Sequence, residues 1–322
     1  MNGKTQRCGF ARWLRAAMIL LVAAAAPACA QTAASGVDAS RLMADVRALA
    51  HDSMAGRRAG TAGGAAARRY IANAFATIGL ASFNGSHVQA FDAGRRDGAA
   101  AEVANVVGRI DGSAGSGRVI VVTAHYDHLG ERDGQVFNGA DDNASGVAAM
   151  LELARLFSSD APRHTIVFAA LDAEESGLRG ARAFVADPPV ELERIAIDIN
   201  LDMVGRNVAN ELWVAGTAHT PSLQPLIARI AADAAVTLRV GHDRPGVAGQ
   251  DDWTGASDHG AFHERGIPFL YFGVEDHADY HKESDEAAGI EPTFLANAVA
   301  TIHRAVQVLD RELDQLVPAR GR

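Results

Sequence analysis

Short apolar runs alternate with longer segments of helical periodicity from residue 103 to residue 316. The strand-like runs, rich in β-branched residues, cover residues 103–110, 118–124, 165–171, 195–201, 212–215 and 267–272. The helix-like segments cover residues 144–157, 177–185, 222–235 and 291–316. Strands that alternate with helices of about ten residues or more form a largely parallel sheet covered on both faces. The pattern therefore predicts a single α/β domain: a three-layer α/β/α sandwich around a largely parallel, mixed sheet.

Two further helices are expected before this sheet, at residues 40–50 and 64–78, because apolar residues recur there at helical spacing. The stretch GRRAGTAGG, residues 56–64, predicts the turn between them. Residues 84–101 are polar and rich in glycine, and we expect a loop there. The folded domain is accordingly placed at residues 40–316, between a flexible segment at 31–39 and a short tail at 317–322.

The first thirty residues have the pattern of a secretory signal peptide. Four basic residues precede an apolar stretch at 16–26, and residues 27–30 read PACA. A basic head, a short apolar middle and an A-x-A ending mark an export signal, whereas a membrane span needs roughly 20 apolar residues. We therefore expect cleavage after Ala30 and a periplasmic or secreted protein without a membrane span. A lipoprotein signal with Cys29 as the lipidated residue is the alternative.

Charge and cysteine content exclude several classes of protein. Both cysteines, Cys8 and Cys29, lie in the predicted signal peptide, so the mature chain depends on core burial or metal rather than on disulfides. Without the four basic residues of that segment, 26 basic residues stand against 39 acidic ones, a net charge of −13. Such a surface does not attract nucleic acid or anionic lipid, and no nucleic-acid partner is expected.

Acidic and imidazole side chains follow several predicted strands at the point where each strand ends. Three successive strands are followed, in chain order, by His125, Asp127, Asp172, Glu174, Glu175 and Asp202. The strand at 267–272 is followed within ten residues by His281. Ligands of open α/β sheets bind beyond the carboxyl ends of the strands. The sequence therefore indicates one binding site at this edge of the sheet.

Asp141, Asp142 and Asn143 stand directly before a predicted helix, in the stretch NGADDNASG. One of them would serve as a helix cap, and most of the strand-end acids have an ordinary structural explanation when taken alone. Several buried carboxylates at one edge, however, are costly without partners. Imidazole and carboxylate ligands suit zinc, and two zinc ions about 3.5 to 4 Å apart need a bridging carboxylate. The crowding therefore predicts a site for two Zn²⁺ ions.

Five motifs stand in order along the chain: AHYDH, NGADDNASG, LDAEESGLRGA, INLDMVG and ADYHKESDE. In this order and at these spacings they resemble the motifs of the di-zinc exopeptidase family that includes the bacterial leucine aminopeptidases. The resemblance runs from residue 103 to the C-terminus, with a weaker similarity in GRRAGTAGG. It implies a zinc-exopeptidase-like fold and a di-zinc peptidase domain over residues 40–316.

The resemblance also implies the metal ligands. It assigns His125 and Asp202 to one zinc ion. It assigns Glu175 and His281 to the other. The bridging ligand is then Asp142, and the peptide bond that follows it is expected to be cis.

Further roles follow from the same resemblance. Glu174 is implied as the general base, and Asp127 as the carboxylate that orients the first imidazole ligand. An oxyanion donor is also needed, and the resemblance favours Tyr280, directly before the last histidine ligand. Thr254 and Trp253 are the alternatives for that donor.

The implied function is that of a secreted metallo-exopeptidase that cleaves peptides with a zinc-activated water and Glu174 as base. The acidic cluster favours the free ammonium of a peptide N-terminus, which indicates an aminopeptidase. A carboxypeptidase or glutaminyl cyclase of the same family, or a catalytically inactive peptide-binding relative, are the alternatives. Serine hydrolases and thermolysin-like enzymes are disfavoured, because the sequence contains neither G-x-S-x-G nor H-E-x-x-H.

Five other histidines call for an interpretation. His128 and His277 lie near assigned ligands and could replace them, although the resemblance favours the assigned pair. We expect His128 to line the cleft. His259 is interpreted as structural, and His164 and His303 as surface residues.

Overall fold

The computed structural model describes residues 36–92 and 102–318, together with Met1 and the backbone of residues 95, 96, 99 and 100. Apart from Met1, the predicted signal peptide lies outside the described residues, as do positions 319–322 of the predicted tail. The described part of residues 34–322 belongs to one compact unit.

Helices and strands alternate along the described chain. The α-helices are α1 (Ala39–Leu49), α2 (Ala62–Ile78), α3 (Gly146–Ser159), α4 (Arg179–Ala186), α5 (Gln224–Asp233), α6 (His259–His263) and α7 (Pro292–Leu316). The strands of the main sheet are β1 (Val88–Phe91), β2 (Val103–Ile110), β3 (Val119–His125), β4 (Thr165–Leu171), β5 (Ile195–Leu201), β6 (Glu211–Ala215), β7 (Thr237–Val240) and β8 (Phe269–Gly273). A two-stranded hairpin, Gly130–Arg132 with Gln135–Phe137, stands apart from this sheet.

The main sheet has eight strands in the order β1-β2-β4-β3-β5-β8-β6-β7. The four central strands, β4, β3, β5 and β8, run parallel to one another. Antiparallel pairs join β1 to β2, β2 to β4 and β8 to β6, and β7 pairs parallel to β6. The sheet is therefore mixed with a parallel centre, as the sequence predicts.

Alternate side chains of the central strands pack on opposite faces of the sheet, because side chains along a strand point to alternate sides. Ile120 and Val122 of β3 join a large core that includes buried residues of α1, α2, α3, α5 and α7. Val119 and Val121 of the same strand join a smaller core with α4 and α6. Each such buried side chain contributes about 1.5 to 3 kcal/mol. The helices thus form the two outer layers of the predicted three-layer sandwich.

The two outermost strands of the sheet were not predicted from the sequence. β1 lies within the predicted loop at 84–101, where it pairs antiparallel with β2. Among the described strands, β7 pairs with β6 alone, and three of its four residues are exposed. Both strands lack an apolar run because they form the sheet edges, where one side has no neighbouring strand. The short helix α6 was also not predicted.

The apolar helices of this fold are packed in the two cores. Among the described residues, no helix is both long enough and apolar enough to span a membrane.

Candidate metal centre and active site

The carboxyl ends of the four central strands meet at one edge of the sheet, because these strands are parallel. His125, the last residue of β3, pairs with Leu171, the last residue of β4. Asp202 directly follows β5, and His281 lies in the loop after β8. The parallel register of β3, β5 and β8 therefore delivers these side chains to the same edge.

A kinked segment directly before α3, Ala140–Ser145, carries Asp142 to this edge, and the backbone of Asp142 and Asn143 is not helical. The carboxylate of Asp285 accepts a hydrogen bond from the backbone N–H of Asp142 (3.0 Å) and another from the preceding residue. The side-chain amide of Asn143 donates to the carbonyl of Leu201 (2.9 Å), at the end of β5. The peptide bond between Asp142 and Asn143 is cis, as the resemblance implies. These contacts hold the Asp142 loop against the sheet edge.

The carboxylate of Asp142 presents one oxygen to each of two imidazole rings. Its Oδ1 lies 3.3 Å from Nε2 of His125, which is also 3.3 Å from Oδ1 of Asp202. Its Oδ2 lies 3.1 Å from Nε2 of His281, which is 3.4 Å from Oε2 of Glu175. The structure thus brings the five predicted ligands together as two imidazole–carboxylate pairs joined by Asp142.

The potential at these pairs favours positive charge. Burial alone would raise the pKa of the Asp142 carboxyl. The neighbouring imidazoles of His128, His125 and His281 have a larger, opposite effect, so this pKa lies well below its ordinary value. Hydrogen bonds to Asp142 and Glu175 raise the pKa of His281 to about 10. Both shifts have the same physical origin, the attraction between clustered carboxylates and any cation among them.

Glu174 lies on the loop after β4, beside both pairs. Its backbone N–H donates to Oδ1 of Asp127 (2.9 Å), which fixes the start of the loop. Burial raises the pKa of the Glu174 carboxyl well above its usual range. His125 opposes this shift, and the carboxylates of Asp258 and Asp202 add to it. The predicted general base is therefore a largely buried carboxyl next to the candidate ligands.

Asp127 orients His125 in a different way from the one expected. The Nδ1–H group of His125 donates to the backbone carbonyl of Asp127 (3.1 Å), whereas the Asp127 carboxylate is 3.8 Å from that nitrogen. The predicted carboxylate–imidazole hydrogen bond is thus replaced by a bond to the backbone carbonyl, and Oδ1 of Asp127 instead accepts the backbone N–H of Glu174. Asp127 thus positions both a candidate ligand and the candidate base.

The two histidines that could replace assigned ligands have different surroundings. His128 is buried, with Nδ1 2.9 Å from Oε1 of Glu175, and it lines a small cavity of about 120 Å³ rather than the main cleft. His277 pairs with Asp141 at 3.1 Å, outside the two imidazole–carboxylate pairs. Of these two histidines, only His128 lies against the candidate ligands.

The other three histidines interpreted from the sequence have packing or hydrogen-bonding roles. His259 is buried and its Nε2 hydrogen-bonds to the carbonyl of Trp253 (2.7 Å), which confirms the structural interpretation. The prediction that His164 lies at the surface is wrong: it is buried, and its Nδ1 hydrogen-bonds to the Asp310 carbonyl (2.9 Å). His303 is partly buried and packs on Phe157 with ring centroids 5.0 Å apart.

A cavity of about 380 Å³ lies over the two imidazole–carboxylate pairs. Tyr280 lines this cavity and stacks on the ring of His281, with ring centroids 4.0 Å apart. Trp253 also lines the cavity, whereas the hydroxyl of Thr254 hydrogen-bonds to Asp252. Of the residues considered for an oxyanion donor, Tyr280 thus lies nearest to a candidate ligand.

Five carboxyl groups line this cavity, namely those of Asp142, Glu174, Glu175, Asp202 and Asp276. Among the described residues that line it, none is a lysine or an arginine. The cavity therefore attracts cations and cationic groups, and it offers no guanidinium or ammonium to a substrate carboxylate.

Comparison with known protein families matches residues 105–306 to Peptidase family M28. The match covers more than half of the chain and includes every predicted site residue. The chain belongs to peptidase family M28. This match confirms the predicted metallopeptidase family, whereas the leucine aminopeptidase branch within it stays a prediction.

A curated protein and a solved structure that resemble this chain are both aminopeptidases. Aminopeptidase YwaD of Bacillus subtilis (strain 168) is 34% identical over 179 residues, which are 55% of this chain and 34% of that protein. The chain thus spans about a third of the length of this curated relative. A solved zinc aminopeptidase from Bacillus subtilis shares the fold with a TM-score of 0.67 and 20% identity, over 84% of this chain and 94% of that chain.

A structure of another activity matches the fold equally well. Glutaminyl cyclase from Bacteroides thetaiotaomicron, bound to N-acetylhistamine, has a TM-score of 0.70 at 21% identity, over 84% of this chain and 98% of that chain. The fold alone therefore does not separate a peptidase from a cyclase.

The residues of this M28 chain fit a zinc-type metal by the chemistry of their donor atoms. His125, Asp142 and Asp202 offer donor atoms that all lie within 4.8 Å of one another, and so do His128, Asp142 and Glu175. Imidazole nitrogen and carboxylate oxygen are donors that zinc accepts. The second group of closely spaced donor atoms thus contains His128, whereas the resemblance implies His281 as the imidazole ligand beside Asp142 and Glu175.

Arg57 is a residue of the site to which sequence reasoning gave no role. Its guanidinium is fully buried and donates to the backbone carbonyls of Tyr126 (2.8 Å), Asn138 (2.5 Å) and Gly139 (2.8 Å). Burial lowers the pKa of Arg57 to about 10, while the nearby carboxylate of Asp142 opposes this shift. Arg57 therefore ties the AHYDH segment to the NGADDNASG segment and places a positive charge beneath the acids. An arginine within the glycine-rich stretch GRRAGTAGG was the available signal.

Two further buried acids lie near the site, one of them without a predicted role. Asp258 is fully buried, and among the described residues neither of its carboxylate oxygens has a hydrogen-bond partner. Burial raises its pKa to about 7, with His125 opposing the shift and Asp202 adding to it. Asp172, one of the predicted strand-end acids, accepts hydrogen bonds from the hydroxyl of Tyr126 and from a backbone N–H of β2, away from the main cavity. Asp172 is therefore structural, and Asp258 adds to the charge beside the site.

Proposed function

We propose that this chain is an aminopeptidase that hydrolyses the N-terminal residue of peptides. The observation that carries the proposal is the arrangement of Asp142, whose two oxygens face separate imidazole–carboxylate pairs beside a buried glutamic acid. Such an arrangement fits two metal ions that share one carboxylate. Membership in family M28 supports a peptidase.

We further propose that the site holds two Zn²⁺ ions. His125 and Asp202 would hold one, Glu175 and His281 the other, and Asp142 both. When bound, zinc in this position supplies an activated water at neutral pH and polarises a carbonyl oxygen.

Glu174 acts as the proton carrier of the proposed reaction. One of its carboxylate oxygens accepts a proton from the attacking water, and the same group later returns that proton to the leaving amine. Its backbone is held by Asp127, which keeps the carboxyl at the edge of the cavity. A fixed base of this kind distinguishes an enzyme from a protein that only binds peptides.

The charge around the cavity supports an aminopeptidase over a carboxypeptidase. The free ammonium of a substrate is attracted by the carboxylates that line the cavity. The three basic residues near the motifs are engaged elsewhere: Arg206 pairs with Asp279 at 2.7 Å, and Arg179 and Lys282 donate to backbone carbonyls. Among the described residues that line the cavity, a substrate carboxylate would therefore meet no lysine or arginine.

Paired substrates test the proposal. The mature protein is expected to release p-nitroaniline from leucine p-nitroanilide and to leave N-acetyl-leucine p-nitroanilide intact, because only the first has a free ammonium. Peptides that begin with glutamine form a second arm, since a cyclase converts them to pyroglutamyl peptides without releasing an amino acid. Cleavage of the blocked substrate alone, or cyclisation without hydrolysis, would contradict the aminopeptidase assignment.

Substitution of Tyr280 by phenylalanine is expected to lower kcat by about 10- to 1,000-fold, with zinc content unchanged. The proposed reason is that the Tyr280 hydroxyl donates a hydrogen bond to the oxygen that becomes negative as the peptide carbonyl is attacked. Tyr271, which also lines the cavity, provides the matched control as Tyr271→Phe. Full activity of the Tyr280→Phe variant would remove Tyr280 from the mechanism.

The proposed peptidase acts outside the cytoplasm, on the basis of the signal-peptide pattern at residues 1–30. N-terminal sequencing of protein recovered from the periplasm or medium should begin at Gln31. Recovery of chains that retain Met1 would contradict this part of the proposal.

A further inference from the structure

The imidazole of His128 is buried next to the second imidazole–carboxylate pair. It is 1% exposed, and its Nδ1 lies 2.9 Å from Oε1 of Glu175 and 3.6 Å from Oδ2 of Asp142. In spite of these short distances, neither ring nitrogen makes a hydrogen bond of acceptable geometry within the described chain. Oε1 of Glu175 is likewise buried without a hydrogen-bond partner there.

Buried polar atoms in native proteins nearly always have a partner, because an unpaired one loses its hydration without compensation. Here two such atoms, one nitrogen and one oxygen, face each other. A divalent cation between them would satisfy the lone pairs of both. A hydrogen bond between the two atoms would also satisfy both, but the geometry does not provide it.

The fold makes room for this ring. Gly139 has φ +54°, and a Cβ at this position would lie 2.0 Å from the carbonyl oxygen of Asp142 and 2.5 Å from Cγ and Cδ2 of His128. A larger residue at 139 would therefore clash with both the Asp142 backbone and the imidazole. The rings of His128 and His281 have centroids 5.8 Å apart, and both lie against Glu175 and Asp142.

We propose that His128 is a third imidazole ligand of the metal centre, at the position also held by Asp142, Glu175 and His281. The donor atoms of His128, Asp142 and Glu175 all lie within 4.8 Å of one another. The inference rests on the proposed function, since it presupposes that metal occupies this site. It makes the two positions unequal, because the first has the single imidazole of His125.

A divalent ion with a preference for nitrogen donors fits the second position best. Imidazole ligands favour zinc and the later first-row metals over magnesium or calcium, which prefer oxygen. Two imidazoles at one position therefore predict that it binds zinc more tightly than the position with one. Loss of the His128 imidazole should weaken this position selectively.

Calorimetric titration of the full mature chain, freed of metal, tests this with zinc alone. The unsubstituted protein should bind two ions. The His128→Gln variant should bind one ion with unchanged affinity and the other more than about 100-fold more weakly, a larger loss than the roughly 10- to 100-fold cost of removing a residue that only supports a ligand. His277→Gln is the matched control, because His277 lies nearby but pairs with Asp141, and it should titrate like the unsubstituted chain. Circular dichroism of each metal-free variant checks the fold.

A second measurement needs no variant. Protein with ¹⁵N-labelled histidine, loaded with ¹¹³Cd, should show three histidine side chains whose ring nitrogens couple to cadmium. Coupling of only two, or unchanged affinity of both ions in His128→Gln, would overturn the assignment of His128 while leaving the proposed function intact. A chain that binds no zinc and cleaves no peptide would overturn both.

Discussion

Replacing Glu174 by glutamine is expected to lower kcat on leucine p-nitroanilide by about 100- to 10,000-fold while two zinc ions stay bound. The amide has nearly the same shape as the carboxyl group but cannot accept the proton of the attacking water. KM should change little, because Glu174 is assigned to proton transfer rather than to substrate binding. Steady-state kinetics and metal analysis by mass spectrometry measure the two effects on the same sample.

Glu264→Gln serves as the control for this experiment. Glu264 lies in an exposed pair with Arg182, and such pairs contribute little to stability. This variant should match the unsubstituted protein in kcat and in zinc content. If Glu174→Gln turned over substrate at the normal rate, another group would have to carry the proton, and the assigned base would be wrong.

Replacing Asp142 by alanine is expected to lower zinc content below one ion per chain and to reduce activity by more than about 1,000-fold. The reason is that Asp142 faces both imidazole–carboxylate pairs, so its removal takes one donor from each position at once. The variant should also lose the stabilisation that zinc gives the folded state. That stabilisation is about 4 kcal/mol for one site at a zinc concentration 1,000 times the dissociation constant.

The Asp276→Ala variant is the control that distinguishes the loss of a metal ligand from the loss of a negative charge near the site. Asp276 lines the same cavity but belongs to neither pair, so its removal changes the formal charge by the same amount. This control should keep both ions and show a zinc-dependent rise in Tm. Two ions bound to Asp142→Ala with normal affinity would show that Asp142 does not bridge.

Much of the fold could be predicted because the central strands have a strong local signal. The bounds of β2, β4 and β5 match the predicted runs at 103–110, 165–171 and 195–201, each a buried apolar stretch. The edge strands β1 and β7 could not be found in this way, since few of their side chains are buried and pairing with a distant neighbour decides their conformation. The local pattern of apolar residues therefore predicts buried strands, but it does not predict edge strands, whose conformation depends on pairing with a distant segment.

The strand ends predicted that acidic and imidazole side chains meet at one sheet edge, and the family resemblance assigned the ligands among them. The groups that hold these ligands could not be predicted. Arg57 binds backbone carbonyl groups, and because every residue has one, the sequence does not show which residues are its partners. Asp258 precedes a short helix and gives the signal of an ordinary cap. His164 was placed at the surface because its partner Asp310 is 146 residues away in the sequence. Arg57 and Asp258 were overlooked and His164 was misplaced for one reason: their surroundings in the fold come from segments that are distant in the sequence.

The most direct test of the metal centre is an anomalous difference map from crystals of the zinc-loaded protein, measured on both sides of the zinc absorption edge. Two peaks about 3.5 to 4 Å apart are expected, one beside His125 and Asp202 and one beside Glu175, on either side of Asp142. A single peak, or peaks away from Asp142, would contradict the shared-carboxylate site on which the proposed hydrolysis depends.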